Sequence, residues 1–281
     1  MPAHGKRRAF GQHFLHNQKV ITTIVEKTHE LAKANGCKAL LEVGPGKGAI
    51  THPLIERFQR EPFIQELILA ERDENFVNLW KHELPTKADA DLMAYKIRVE
   101  AGDFVQAADT AFLGTLPLMV VSNLPYSAGT AIVTRLALHY DKIPAMVLMF
   151  QAEVAQRLRA VPSTKPWGSL SIWIQNRWDV EKLVGVPPGA FTPPPDVDSE
   201  VVVFRARKAP RVDVSPENEE KWEALLRVCF THRRKMLRSG LPKTGPWQNA
   251  LELSGLDGTK RSEALSWEEW QKFFQAVISV Q

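Results

Sequence analysis

The chain has 281 residues, 44% hydrophobic and 24% charged, with a formal net charge of +4. That is ordinary globular composition, long enough for one large domain or a large domain with a small companion. The mild basicity suits a nucleic-acid partner without demanding one. Cys37 and Cys229 read as reduced, partly buried thiols, because only Cys229 and His232 stand at ligand spacing and one pair cannot close a four-ligand metal site. The stretch from Met1 to Arg8 lacks an apolar signal core and no run approaches membrane-spanning length, so a cytoplasmic protein without membrane association is expected.

Apolar, β-branched runs predict strands at Leu40–Val43, Leu67–Ala70, Ile97–Glu100, Leu118–Ser122 and Ala145–Phe150. Helical patterns lie between and after them, at Asn75–Leu84, Gly129–Tyr140 and Glu153–Arg159. This alternation is the mark of an α/β fold with a doubly wound parallel sheet. Ser169–Trp178 and Val201–Phe204 are two further strand candidates, suited to an antiparallel sheet edge. Beyond Arg205–Pro210 the β-branched runs thin out. Ser215-Pro216 reads as a helix N-cap followed by proline at the first helical position, and Ser266 to Glu269 as a capping box ahead of Trp270, Phe273, Phe274 and Val277. A large domain over residues 1–206 and a small helical one over 207–281 are expected.

The chemistry-bearing residues follow the strands in order. Leu41-Glu42-Val43-Gly44-Pro45-Gly46-Lys47-Gly48 closes the first strand. It is neither a P-loop nor the dinucleotide pattern, and its Gly-x-Gly-x-Gly spacing, with an acid two residues before the first glycine, is the form that holds S-adenosylmethionine. The second strand ends at Glu71, placed to take both ribose hydroxyls of a nucleoside cofactor. The third ends at Asp103-Phe104, where a carboxylate can accept from an adenine amine and a ring can cover it. The fourth ends at Asn123-Leu124-Pro125-Tyr126. There an amide oxygen, a main-chain carbonyl of Leu124 or Pro125 and an aromatic ring suit the grip of a flat base by its exocyclic amine. Each element alone reads as an ordinary turn; their succession at four strand ends of one sheet edge is the stronger evidence.

Phe10-Gly11-Gln12-His13-Phe14-Leu15, the glycine loop, Ser122 to Tyr126, Gln151 to Arg157, Ala190 to Pro195 with Val197-Asp198-Ser199, and Phe230 to Lys235 together resemble the KsgA-type ribosomal RNA adenine dimethyltransferases. The likeness runs from about Lys6 to the last helix. It implies a Rossmann-like class I S-adenosylmethionine-dependent methyltransferase sheet with a small C-terminal helical domain. It also implies dimethylation of two adjacent adenines in the 3′-terminal hairpin loop of small-subunit ribosomal RNA, and a part in small-subunit assembly. The implied partner is that RNA, in the 30S subunit or its precursor, with the enzyme acting as a monomer and without a metal.

Carried over by position, the resemblance puts cofactor contacts at His13, Leu15, Gly44, Glu71, Asp103 and Asn123; Gly46 in the glycine loop and Phe104 beside Asp103 are expected to join them. Catalysis is expected at Asn123, Leu124, Pro125 and Tyr126, with Tyr126 and Phe191 as a clamp for the extruded base. His13 departs from the asparagine usual in the family, and Pro85–Asp91 lengthens one connection. The window between Glu223 and Glu252 lacks acidic residues and holds Arg233, Arg234, Lys235 and Arg238; with Lys6, Arg7 and Arg8 these are the expected phosphate contacts. Rival readings are an Erm-type large-subunit RNA methyltransferase, a DNA adenine methyltransferase, against which Leu124 argues, and a non-catalytic RNA-binding assembly factor.

Overall fold

The structure is a computed structural model that describes residues 13–83 and 95–280. Lys6, Arg7, Arg8 and the Pro85–Asp91 insertion lie outside the described residues. Two compact units emerge, one of Met1–Ala155 with Val180–Ala206, the other of Gln156–Asp179 with Arg207–Gln281.

In chain order the first unit opens with β1 (Phe14–Leu15), α1 (Gln18–Ala34) and β2 (Ala39–Val43). Asn17 caps α1, its Oδ1 accepting from Val20 N at 3.2 Å. Ile21, Ile24, Val25 and Leu31 recur at helical spacing and are buried. Then come α2 (Thr51–Arg60), β3 (Glu66–Glu71), α3 (Glu74–Glu83), β4 (Lys96–Ala101), α4 (Asp109–Phe112), β5 (Leu118–Asn123), α5 (Gly129–Ala137) and β6 (Ala145–Gln151). The chain continues through α6 (Ala152–Leu158), α7 (Ser169–Gln175), β7 (Trp178–Val186), β8 (Phe191–Thr192) and β9 (Ser199–Ala206).

Among the described residues the long strands form one seven-stranded sheet in the order β4-β3-β2-β5-β6-β9-β7. The pairs β4·β3, β3·β2, β2·β5 and β5·β6 are parallel, and β9 runs antiparallel to β6. Every residue of β2, and every residue of β5 up to Ser122, is buried, as strands covered on both faces must be. The strand order reverses between β2 and β5. That is the topological switch point, where the carboxyl ends of the strands leave a crevice. A separate two-stranded pairing, β1 with β8, sets Leu15 opposite Phe191.

Ser169–Trp178, expected as a strand, is instead the helix α7 followed by the start of β7. Leu170, Ile172 and Ile174 are all buried, and a short apolar run buried on more than one side looks alike as helix or strand. The Ser171 hydroxyl decides the local geometry, accepting from Gly168 N at 3.1 Å and donating to Arg157 O at 2.5 Å.

The second unit also contains α8 (Glu219–Thr231), α9 (Leu237–Gly240), α10 (Trp247–Ser254) and α11 (Trp267–Ser279). Residues 156–179, expected in the first domain from the sequence pattern, belong here, because Trp167 and Ile172 share a core with Trp222, Leu226, Trp270 and Phe273. Ser215-Pro216 opens a 3-10 turn, Pro216–Asn218, ahead of α8, and Asn218 Nδ2 donates to the Ser215 hydroxyl. The Ser266–Glu269 box forms as the spacing predicts. Ser266 Oγ accepts from Glu269 N at 3.2 Å and Glu269 Oε2 accepts from Ser266 N at 2.9 Å.

Candidate active site

The four sequence elements expected at strand ends meet at one edge of the sheet. His13, Leu15, Gly44, Gly46, Glu71 and Asn123 to Tyr126 line one cavity of ≈ 100 Å³, together with Glu42. A second cavity of the same size is lined by Gly44, Glu71, Asp103, Phe104 and Pro125. Gly44, Glu71 and Pro125 therefore border both.

Backbone and buried polar contacts fix this edge. Ser122 Oγ donates to Val43 O, tying the end of β5 to the end of β2. Gly44 has φ +70°, in the region that favours glycine. Gly48 is the more constrained glycine. Its φ is +83°, and a Cβ there would lie 2.5 Å from the His52 side chain and 2.8 Å from Trp80.

Glu71 organises the loop. Its Oε2 accepts from Gly46 N at 3.0 Å, and its Oε1 from Arg72 N and Asp73 N at 2.8 and 2.9 Å. Trp80 Nε1 donates to Gly46 O at 3.1 Å, holding the loop from the α3 side. Two N–H groups saturate Oε1, while Oε2 keeps one lone pair for a further donor. Burial raises the carboxyl pKa of Glu71 in spite of these bonds.

Glu42, the acid two residues before Gly44 in the glycine motif, lines the cavity, although the sequence pattern gave it no contact of its own. It is 2% exposed, and its Oε2 has no hydrogen-bond partner among the described residues. Burial pushes its pKa up to about 8, with the charge of Glu71 acting in the same direction and Thr51 opposing. The signal was in the sequence, as an acid inside an otherwise apolar strand.

Asp103 and Phe104 stand just beyond β4. Arg72 approaches Asp103 Oδ2 at 3.3 Å. The loop they begin is pinned from α5 by Arg135, which also went unnoticed in the sequence. Its Nη1 donates to Phe104 O at 2.6 Å and its Nη2 to Ala107 O and to Asp109 Oδ1. The guanidinium carbon also sits 4.9 Å from the Phe112 ring centroid.

At the end of β5, Asn123 Nδ2 donates to His13 O at 3.4 Å, which directs the amide and leaves Oδ1 as the acceptor arm. Pro125 O accepts from Ala128 N at 3.0 Å and so is already committed to a turn. Of the two main-chain carbonyls that the sequence offered, Pro125 has one lone pair and its orientation engaged by the turn, and Leu124 is the less encumbered acceptor. Tyr126 is half-buried, with its ring centroid 5.4 Å from that of His13. The Nδ1–H of His13 donates to Pro193 O at 2.8 Å, which selects the tautomer.

Phe191, expected as the second wall of a base clamp, is 2% exposed and packed in the core beside Leu15. Among the described residues the ring beside Tyr126 is His13, not Phe191. A phenylalanine in strand pairing with a buried leucine gains more from the core than from an open face.

In the second unit, Arg233 to Lys235 lie in the turn after α8, which ends at Thr231. Arg233 is committed internally. Its Nε donates to Glu263 Oε2 at 2.6 Å, Nη1 to Lys165 O at 2.6 Å and Nη2 to Thr164 O at 2.8 Å. Arg234, Lys235 and Arg238 are exposed, and the first two border a cavity of ≈ 530 Å³ to which Lys165 and His232 also contribute.

The model of the family described as "Ribosomal RNA adenine dimethylase" matches residues 3–279. The "Ribosomal RNA small subunit methyltransferase A" of Syntrophotalea carbinolica is 34% identical, over 98% of this chain and 97% of that protein. The protein of the same description from Chromobacterium violaceum is 36% identical, over 96% of this chain and 95% of its own length. In fold, the chain resembles a dimethyladenosine transferase from Plasmodium falciparum, with a TM-score of 0.73 at 23% identity, covering 95% of this chain and 98% of that one. It also resembles the 23S rRNA methyltransferase ErmE, with a TM-score of 0.63 at 23% identity, covering 94% and 99%.

Proposed function

Because the chain belongs to the ribosomal RNA adenine dimethylase family, we propose that it transfers methyl groups from S-adenosylmethionine to the N6 amines of two adjacent adenines in the 3′-terminal hairpin loop of small-subunit ribosomal RNA. The observation that carries this reading is the convergence of Gly44, Glu71, Asp103 and Asn123 to Tyr126 on two adjoining cavities at the switch point. Near-full-length relatives at 34–36% identity are described as small-subunit enzymes, whereas the likeness to ErmE is one of fold alone.

The residues fit a nucleoside cofactor that brings its own hydrogen-bonding groups. Glu42 Oε2 is a buried polar atom without a partner among the described residues, and the free lone pair of Glu71 Oε2 is available to a ribose hydroxyl. On this reading Glu71 holds the ribose, and Asp103 and Phe104 hold the adenine. The backbone of Gly44 and Gly46, with His13, Leu15 and Asn123, encloses the remainder. Bound there, S-adenosylmethionine supplies a methyl group activated by a positively charged sulfur.

The chain's own contribution is orientation. Asn123 Oδ1 accepts one N6–H and the Leu124 carbonyl the other, so that the nitrogen lone pair is turned out of conjugation. Tyr126 stacks on the extruded base. No strong base is needed beforehand, since the amine proton becomes acidic once the nitrogen is alkylated.

The second unit is the RNA-binding domain on this reading, with Arg234, Lys235 and Arg238 as phosphate contacts and Arg233 as the residue that shapes their turn. The protein works as a monomer in the cytoplasm, on the 30S subunit or its precursor. No helix among the described residues is long and apolar enough to cross a membrane. The test is methyl transfer from labelled S-adenosylmethionine to small subunits lacking the modification, with the modified bases mapped. Label on two adjacent adenines of the 3′-terminal hairpin is the expected result. Label on large-subunit RNA, or tight subunit binding without label, would overturn the reading.

A further inference from the structure

Ser199 meets the catalytic motif from a strand that the mechanism above does not use. Its Oγ lies 2.5 Å from the Tyr126 hydroxyl. Ser199 is the first residue of β9, is 2% exposed, and is held in register opposite Gln151 in the antiparallel ladder with β6. A short side chain on a buried strand offers few ways to move, so its hydroxyl is a fixed reference point.

Tyr126 has no such support of its own. It lies in the loop beyond β5 and is half-buried, and swings about its first two side-chain torsions would move the ring edge by ångströms. The bond to Ser199 pins the far end of the ring and so sets its reach and tilt. It leaves open the roll about the ring's long axis. The His13 ring limits that roll, at 5.4 Å between centroids and 31° between planes, and His13 is itself anchored on Pro193 O.

We infer that Ser199 is a positioning residue for methyl transfer, acting through the Tyr126 hydroxyl to fix the plane on which the target adenine stacks. This rests on the function proposed above. Stacking is sensitive to the plane that a ring presents, and misplacement of a reacting group by about 1 Å can slow a reaction ~100-fold. A serine that only satisfied a buried phenol would leave the rate untouched when phenol and serine were removed together.

The experiment compares full-length wild type, Ser199→Ala, Tyr126→Phe and the double variant. Single-turnover methyl transfer is measured on unmodified small subunits, and S-adenosylhomocysteine affinity by calorimetry. Each single change removes one side of the same bond and keeps the aromatic ring. Both are expected to slow transfer about five- to tenfold, with the S-adenosylhomocysteine affinity unchanged. The double variant is expected to be no slower than the slower single.

A second readout needs no activity. The chain has three tyrosines, so the Tyr126 ring ζ-carbon resonance can be assigned by its loss in Tyr126→Phe. It should move in Ser199→Ala. A full rate in Ser199→Ala, multiplying losses in the double variant, an unmoved resonance, or a loss confined to S-adenosylhomocysteine affinity would each overturn the role. Absence of transfer by the wild type would overturn the functional reading itself, which separates the two failures.

Discussion

Arg135 Nη1 donates to the main-chain oxygen of Phe104 at 2.6 Å, so a side chain on α5 holds the loop that follows β4. The same guanidinium reaches Ala107 O and Asp109. The planar fork of an arginine spreads five donors over a fixed span, so it reaches separated acceptors that the compact ammonium of a lysine cannot bridge with the same geometry. Arg135→Ala should weaken S-adenosylhomocysteine binding roughly ten- to a hundredfold, with Arg135→Lys in between. Calorimetry of both variants tests this, and an unchanged affinity in Arg135→Ala would show that the Asp103–Phe104 loop holds its shape unaided.

Asn123→Ala should abolish the orientation of the amine while leaving the RNA grip intact. A fall in single-turnover rate of about a hundredfold or more is expected, with small-subunit affinity within a factor of about two. If the variant methylates at the normal rate, the acceptor role of Asn123 is wrong.

Glu42 sets a pH dependence whose sign can be worked out. Its folded pKa is raised to about 8, from an ordinary carboxyl value of 4.5. Between those values the folded state keeps a proton that the unfolded state releases, so stability falls as pH rises through that window. The loss is complete above about pH 8. Glu42→Gln removes the titration, and the melting temperature of the variant relative to wild type should climb steadily from pH 5 to pH 8. Parallel melting curves across that range would mean that Glu42 titrates as an ordinary carboxyl.

The two adjacent arginines of the second unit should behave differently. Arg233→Ala removes bonds to Glu263, Lys165 and Thr164 and is expected to lower the melting temperature. Replacing Arg234 and Lys235 together with glutamate should leave stability within about 0.5 kcal/mol, as for exposed positions. It should weaken RNA binding and flatten its salt dependence by about 0.7–0.9 in the log–log slope for each phosphate no longer neutralised. Filter binding over a salt series distinguishes the two effects, and an unchanged slope would remove Arg234 and Lys235 from the interface.

The parallel sheet was legible because its strands are continuous β-branched and aliphatic runs, and the site because its chemistry stands at their carboxyl ends. Both follow from local pattern. What escaped depends on distant partners. Nothing in Leu170-Ser171-Ile172-Trp173-Ile174 says that the run will be wrapped by other helices. Phe191 became a core residue through its pairing with Leu15. Arg233 looked like any member of a basic run, and only Glu263, thirty residues on, shows that its charge is committed. The choice of Leu124 over Pro125 as acceptor needed the turn bond to Ala128.

The membership of residues 156–179 in the second unit governs the order in which the chain can mature as it is made. Trp167 packs edge-on against Trp267, with ring centroids 6.2 Å apart, yet one hundred residues of synthesis separate them. At translation rates of about 5–20 residues per second, the earlier tryptophan lacks that neighbour for roughly 5–20 s. The strand β9 is made in the meantime and can pair with β6. The excursion therefore leaves a growing chain with a nearly complete sheet and an apolar segment, Trp167 to Ile174, that a chaperone can grip until α8 covers part of it and the last helix completes the cover.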